Sequence, residues 1–376
     1  MTPAPLTGPA FGSYRADEVA WLLTDLSHVP LEAPTHEREE AIQRGQAHYA
    51  ESLPIEYQPS EDYQQLFTQA LSRSAAKVAY AVGLVTERVL QERGDRVVLA
   101  SLARAGTPVG VLMRRWAQAS HGLDPAHYTL SIVRGRGIDE VALRHLREHH
   151  DPADIAFVDG WTGKGAITRE LAASVRAVNT VLGTRFSPDL AVLADPGECV
   201  RLHGTREDYL IPSACLNSTV SGLVSRTVLN ADLIGPDDFH GAKFYAELAP
   251  ADVSATFLDA VTAEFAGVAA AVAAAAAQPL PVEAPRWTGW ASVEQISARY
   301  GIDDVNLVKP GVGETTRVLL RRVPWKVLVR PDALAEDGEL AHVLLLARQR
   351  GVEIVPVPGL PFTCVGLIRP RTAPTA

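Results

Sequence analysis

The chain has 376 residues, more than one hydrophobic core usually serves, so two or three domains are expected. With 47% hydrophobic and 21% charged residues it has an ordinary globular composition, and a formal net charge of −9 excludes a whole-chain electrostatic grip on nucleic acid, though not a basic face on one domain. The N-terminus MTPAPLTGPAFGSYRADEV has no basic stretch leading into an apolar one, FAGVAAAVAAAAA (265–277) is short of the roughly 20 residues of a membrane span, and Cys199, Cys215 and Cys364 show no C-x-x-C spacing, so no signal, no span and no zinc site are read and a reducing cytoplasm is expected.

In chain order, residues 1–75 begin loop-rich and turn polar. APTHEREEAIQRGQAHYAESLP predicts a helix with a cap at Thr35, an exposed face of Glu37, Arg38, Glu39 and Glu40, and a stop at Pro54. AAKVAYAVGLVTERVLQER (75–93) is helical in its spacing. Four apolar runs then follow at intervals of 25 to 35 residues: DRVVLAS, YTLSIV, DIAFVD and DLAVLAD. Continuous apolar strands alternating with helical stretches predict an α/β domain, a mostly parallel sheet with helices on both faces. Residues 255–277 read as its closing helix, and the domain as 1–277 with a helical N-terminal extension. A Pro/Ala linker follows over 278–295, opening with the proline-rich QPLPVEAPRW. A small second α/β domain is read over 296–376, from TRVLLRR (helix), WKVLVR (strand), LAHVLLLARQRG (helix) and EIVPVP (strand).

Ligands of open parallel sheets bind at the carboxyl ends of strands, and three loops there have unusual composition. SLARAGTPVG offers Arg104 as a cationic fork, with Ala105, Gly106 and Thr107 letting backbone and hydroxyl approach an anion. IVRGRGID sets Arg134 and Arg136 between glycines, as a lid over phosphates would. FVDGWTGKGAI ends a strand in Asp159 and runs through Gly160, Trp161, Thr162, Gly163, Lys164, Gly165 and Ala166 into a helix start, a backbone N–H cradle with one carboxylate for sugar hydroxyls or a divalent metal. It is not a Walker A loop, because Lys164 is followed by Gly165 rather than Ser or Thr.

A strand ending in an acid followed by T-G-x-G resembles the donor loop of type I phosphoribosyltransferases, and LARAGTP resembles their pyrophosphate loop. More narrowly, SLARAGTPVGVLMRR, HYTLSIVRGRGID, FVDGWTGKGAI, GTREDYLIPSACLNSTVSGLVSRTVL and DFHGAKFY together resemble the phosphoribosyltransferase-like proteins of tellurium-resistance and stress operons, over residues 10–260. The resemblance implies a magnesium-dependent transfer from 5-phosphoribosyl pyrophosphate to a base-like or RNA acceptor. Asp159 would sit on the ribose and the metal, residues 162–165 on the 5-phosphate, and 104–107 on the pyrophosphate, with Asp159, Arg104 and Lys164 carrying catalysis by charge stabilisation. It further implies a nucleotide or base-like ligand, stress-operon proteins as partners, a homodimer, and His48, Tyr49 and Glu51 lining the pocket. One departure stands out: the family pattern has two adjacent acids where this chain has Asp159 and Gly160. A nucleotide-sensing, non-catalytic RNA-binding protein is therefore one alternative.

The other alternative is a cysteine peptidase using Cys215, since some members of that family carry a cysteine-protease label. The nucleophile would need a basic partner, for which His203 and His240 are the candidates. Without that chemistry, IPSACLNSTVSGLVSRT reads as a helix start whose Asn217, Ser218 and Ser221 line an acceptor pocket.

In the C-terminal piece, Gly311 and Gly313 precede a helix start with Glu314, Thr315, Thr316 and Arg317, and residues 306–330 hold six Lys and Arg against one acid. The layout over 298–370 resembles the Pelota-type RNA-binding domain, which implies Lys309, Gly313, Glu314, Thr315 and Arg317 as RNA-facing residues, with Pro361, Phe362 and Thr363 adding contacts from a late loop.

Overall fold

The four apolar runs form strands because each is bounded by breakers and alternates its side chains between two hydrophobic faces. In a computed structural model that describes residues 2–33, 48–56, 58–279, 284–335 and 338–369, they are Val98–Leu102, His127–Leu130, Ile155–Trp161 and Leu190–Ala194. Two further strands, Ala20–Trp21 and Leu202–Thr205, complete a six-stranded sheet. The order across it is Ala20–Trp21, His127–Leu130, Val98–Leu102, Ile155–Trp161, Leu190–Ala194, Leu202–Thr205, and every pairing is parallel. The helix read around Thr35 and Glu37–Glu40 lies largely outside the described residues.

Both faces of the sheet are covered, as its apolar strands require. Ala156 and Val158 join Val78, Val82, Val85, Leu112 and Trp116 on one side, under helices Glu61–Arg93 and Gly106–His121. Ile155 and Phe157 join Leu143, Leu146, Leu171 and Val175 on the other, under helices Glu140–His149 and Ala166–Leu182. The stretch read as one closing helix is two, Ser254–Ala263 and Phe265–Ala276, bent by 64°. Phe265 sets its ring edge-on to Trp116 at 5.0 Å between centroids. No single helix among the described residues is long and apolar enough to cross a membrane.

Gly106 is where helix Gly106–His121 leaves the sheet, and a Cβ there would stand 2.4 Å from the Val158 carbonyl oxygen. That obstacle is backbone in a central strand, which cannot step aside. Gly106→Ala is expected to cost about 2–3 kcal/mol, in the range of core overpacking, and to lower Tm by several degrees in a calorimetric scan.

The C-terminal sheet orders as Val308–Pro310, Cys364–Ile368, Pro324–Val329, Glu353–Pro356, antiparallel except for its last pair. Helix Thr288–Tyr300 starts inside the stretch read as linker. Past Pro285 nothing interrupts a helix, and its Val293 and Ile296 pack with Val308, Phe362, Val365 and Leu367. The opposite face, through Val312, Leu319, Val327 and Val343, belongs to the same apolar cluster as Tyr209, Ile211, Ala214 and Cys215 of the first domain. The two parts therefore share one continuous core at their junction.

Candidate functional site

Strand order reverses between Val98–Leu102 and Ile155–Trp161, so their carboxyl ends diverge and leave a crevice. It opens into a cleft of about 870 Å3. Glu56, Arg104, Asp159, Ser213, Leu216 and Asn217 line it from the large domain, and Lys309, Glu314, Arg317 and Arg322 from the C-terminal domain. Tyr49 also lines it, and its hydroxyl accepts the Arg134 N–H at 2.7 Å.

The three loops read as anion sites do gather at this end of the sheet, but their groups are engaged by protein. Arg104 lies 3.8 Å from Glu56. The Thr107 hydroxyl is buried and accepts from Thr129 at 3.2 Å. Arg134 donates to Asn306 at 2.8 Å, while exposed Arg136 lies 3.8 Å from Glu51. In the expected cradle, strand Ile155–Trp161 carries Asp159, Gly160 and Trp161, and helix Ala166–Leu182 begins at Ala166. The Gly165 N–H is taken by the Thr162 hydroxyl at 3.1 Å. Gly163 packs against Pro310, and Gly165 against Trp287 and Cys199. Lys164 donates to the Val305 carbonyl at 2.7 Å and the Val308 carbonyl at 3.4 Å. The loop is a seam that holds the C-terminal domain, not an open phosphate cradle. A sequence motif gives its backbone pattern but cannot tell what fills it.

For the expected magnesium, the protein offers a single carboxylate. Asp159 has no partner acid, its Oδ1 accepts the Gly160 N–H at 2.7 Å, and among the described residues no group of three His, Cys, Asp or Glu is placed to hold a metal ion.

The electrostatics of the cleft are set by burial. Desolvation pushes the Asp159 carboxyl up to about 7, against the pull of the Gly160 N–H and Arg317. Lys164 is pushed down to about 8, first by burial and then by Lys309 and Arg134. Burial also raises Glu314, but Arg317 and Lys309 outweigh it and hold that carboxyl below its usual range. Arg317 ties the site together: its Nε donates to the Ala214 carbonyl at 3.1 Å, Nη1 to Glu314 at 3.2 Å, and its guanidinium lies 4.8 Å from the Trp161 ring centroid.

Cys215 follows the 3-10 turn Pro212–Ala214, between the cleft-lining Ser213 and Leu216. Its side chain is buried, and Asn217 and Ser221 line the cleft beside it. Ser218 is held by Glu56, to which its N–H and hydroxyl donate at 2.9 and 2.8 Å. Cys199 lies beneath Gly197 and Gly163 with its thiol pushed up to about 12 by burial, and burial pushes Cys364 up as well. Neither expected histidine lines the cleft. His203 is pushed down to about 4 by burial and contacts the Arg201 carbonyl at 3.1 Å, and His240 contacts Ser131 at 2.8 Å. Asp159 is the cleft carboxyl that burial brings close to neutral pH.

One residue of the domain junction escaped the sequence reading. Asp208 of the large domain accepts the Val312 N–H on Oδ1 and the Thr363 N–H on Oδ2, both at 2.8 Å, and its carbonyl accepts the Thr363 hydroxyl at 2.8 Å. Gly311 makes this approach possible, with φ +93° and a Cβ position 3.0 Å from Asp208 Oδ1. No local signal marks an aspartate that caps a helix more than a hundred residues away. The late-loop contacts are corrected too: Phe362 is wholly buried and Thr363 faces Asp208, because this loop packs inward on the domain junction.

Residues 12–262 match the profile described as "Tellurite-like stress resistance cysteine protease StiP", and residues 287–370 match the PELOTA RNA binding domain. A relative from Acinetobacter baylyi named "Cysteine protease StiP" is 34% identical over 369 residues, covering 95% of this chain and 94% of that protein. These matches overturn the phosphoribosyltransferase expected from the loops, and with it the pyrophosphate donor falls away. The peptidase alternative is the one the matches name.

Proposed function

The chain belongs to the StiP family, and on that premise we propose that it is a cysteine peptidase of the stress response, with Cys215 as its nucleophile and a C-terminal domain that binds RNA. The observation that carries the choice of nucleophile is placement. Cys215 is buried, but it is the cysteine whose chain neighbours Ser213, Leu216 and Asn217 line the large cleft, while Cys199 and Cys364 lie on segments that do not reach it and burial raises their thiols. A peptide segment lying in the cleft would present its carbonyl carbon to the Cys215 sulfur. The thiol proton passes to a base, the C–S bond forms, the C–N bond breaks and the amine leaves with a proton. Water then hydrolyses the thioester and restores the thiol. Asp159 is assigned as the base because it lines the cleft that Ser213 and Leu216, beside Cys215, also line, with a proton affinity near neutrality. Arg317 links the two, holding the carbonyl of Ala214 beside Cys215 and attracting the Asp159 charge.

The test is hydrolysis of a fluorogenic peptide library and of unfolded casein by the full chain, before and after iodoacetamide, with the adduct mapped by mass spectrometry. The expected result is inhibition in step with alkylation of Cys215. Undiminished hydrolysis with Cys215 alkylated, or no hydrolysis of any substrate with or without added RNA, overturns the assignment.

A further inference from the structure

The residues expected to face RNA are turned inward. Thr315 is wholly buried, and none of Lys309, Gly313, Glu314 and Arg317 is exposed. Lys309, Glu314 and Arg317 border the cleft, and beside them two groups of the large domain with a particular chemistry meet this helix. The Asp208 carboxylate sits at the N-terminus of helix Val312–Arg321 and takes two backbone N–H groups, from Val312 and Thr363. An anion held by backbone amides at a helix start is also how a nucleic-acid phosphate is bound. Independently, the Arg317 guanidinium lies over the Trp161 ring at 4.8 Å, a flat π surface where an unstacked base would lie. An anion and an aromatic plane, both from the large domain, thus occupy neighbouring positions on the basic face of the small one.

We infer that the large domain mimics RNA at this face, with Asp208 in place of a phosphate and Trp161 in place of a base, so that RNA binding and the closed arrangement exclude each other. This rests on the RNA-binding half of the reading above and not on the peptidase half. Charge agrees with it: residues 306–330 hold six Lys and Arg against one acid, in a chain whose net charge is −9. RNA must compete with an intramolecular ligand at high effective concentration, so its apparent affinity is reduced by the small fraction of open molecules. When RNA wins, the C-terminal wall of the cleft, including Arg317, leaves the large domain.

The experiment uses the full chain and a fluorescein-labelled 30-nucleotide RNA stem with an asymmetric internal loop, read by anisotropy at fixed salt. Asp208→Ala removes the phosphate mimic and is expected to bind this RNA about tenfold more tightly than wild type. On the wild type, hydrogen exchange is expected to show RNA protecting residues 308–320 while exposing 205–216, a reading that needs no variant to fold. Equal affinity for wild type and variant, or RNA binding without faster exchange at 205–216, overturns the mimicry while leaving RNA binding intact. Binding to neither protein overturns RNA binding itself, and the mimicry with it.

Discussion

Cys215→Ser is expected to remove peptide hydrolysis by about a thousandfold or more in kcat/KM, the loss typical of deleting a covalent nucleophile. Cys199→Ser and Cys364→Ser should leave it within about threefold, since neither lies on a segment that lines the cleft, whereas Ser213, Leu216 and Asn217 beside Cys215 do. The controls matter because Cys215 is itself buried within the junction cluster, so a fall in activity alone does not separate lost chemistry from unfolding. Thiol to hydroxyl is nearly isosteric, and the stability cost at a buried site is about 1–2 kcal/mol. A Cys215→Ser protein that melts within a few degrees of wild type and yet is inert places the loss in chemistry. If the three variants lose activity equally, the nucleophile is elsewhere.

The sheet was legible because burial on both faces leaves continuous apolar runs, and all four runs became strands. The two missed strands had no such run: Ala20–Trp21 is two residues long, and Leu202–Thr205 contains His203 and Gly204. The loops at the strand ends were correctly located but wrongly filled. Lys164, read as a phosphate ligand, spends its charge on two carbonyls of the C-terminal domain, and Gly163 gives way to Pro310 rather than to an anion. Both involve contacts across more than a hundred residues, which local pattern cannot encode. The same holds for Asp208, whose capping role exists only after the domains dock. The basic segment 306–330 was legible in charge, yet its burial was not, since amphipathic helices look alike whether the polar face meets solvent, RNA or a second domain.

Asp159→Asn is expected to move stability and activity in opposite directions. The folded carboxyl is held at about 7 by burial, against about 3.9 in the unfolded chain. A raised carboxyl favours the folded state only when protonated, so stability rises as pH falls through 7 and the gain is complete below about 4. Above 7 the ionised form carries the full desolvation cost, about 2–4 kcal/mol from a shift of this size. Asparagine keeps an oxygen for the Gly160 N–H and carries no charge, so the variant should melt about 5 °C higher than wild type at pH 8, with the difference shrinking towards pH 5. Activity runs the other way. A base must be ionised to take the thiol proton, so wild-type kcat/KM should rise with pH through about 7, and the variant should lose about a hundredfold along with that limb of the profile. A carboxylate retained only for structure would not be stabilised by its own removal. If the variant is less stable at pH 8, or keeps the wild-type pH profile, Asp159 is not the base, and its burial beneath Arg317 serves the docking of the two domains instead.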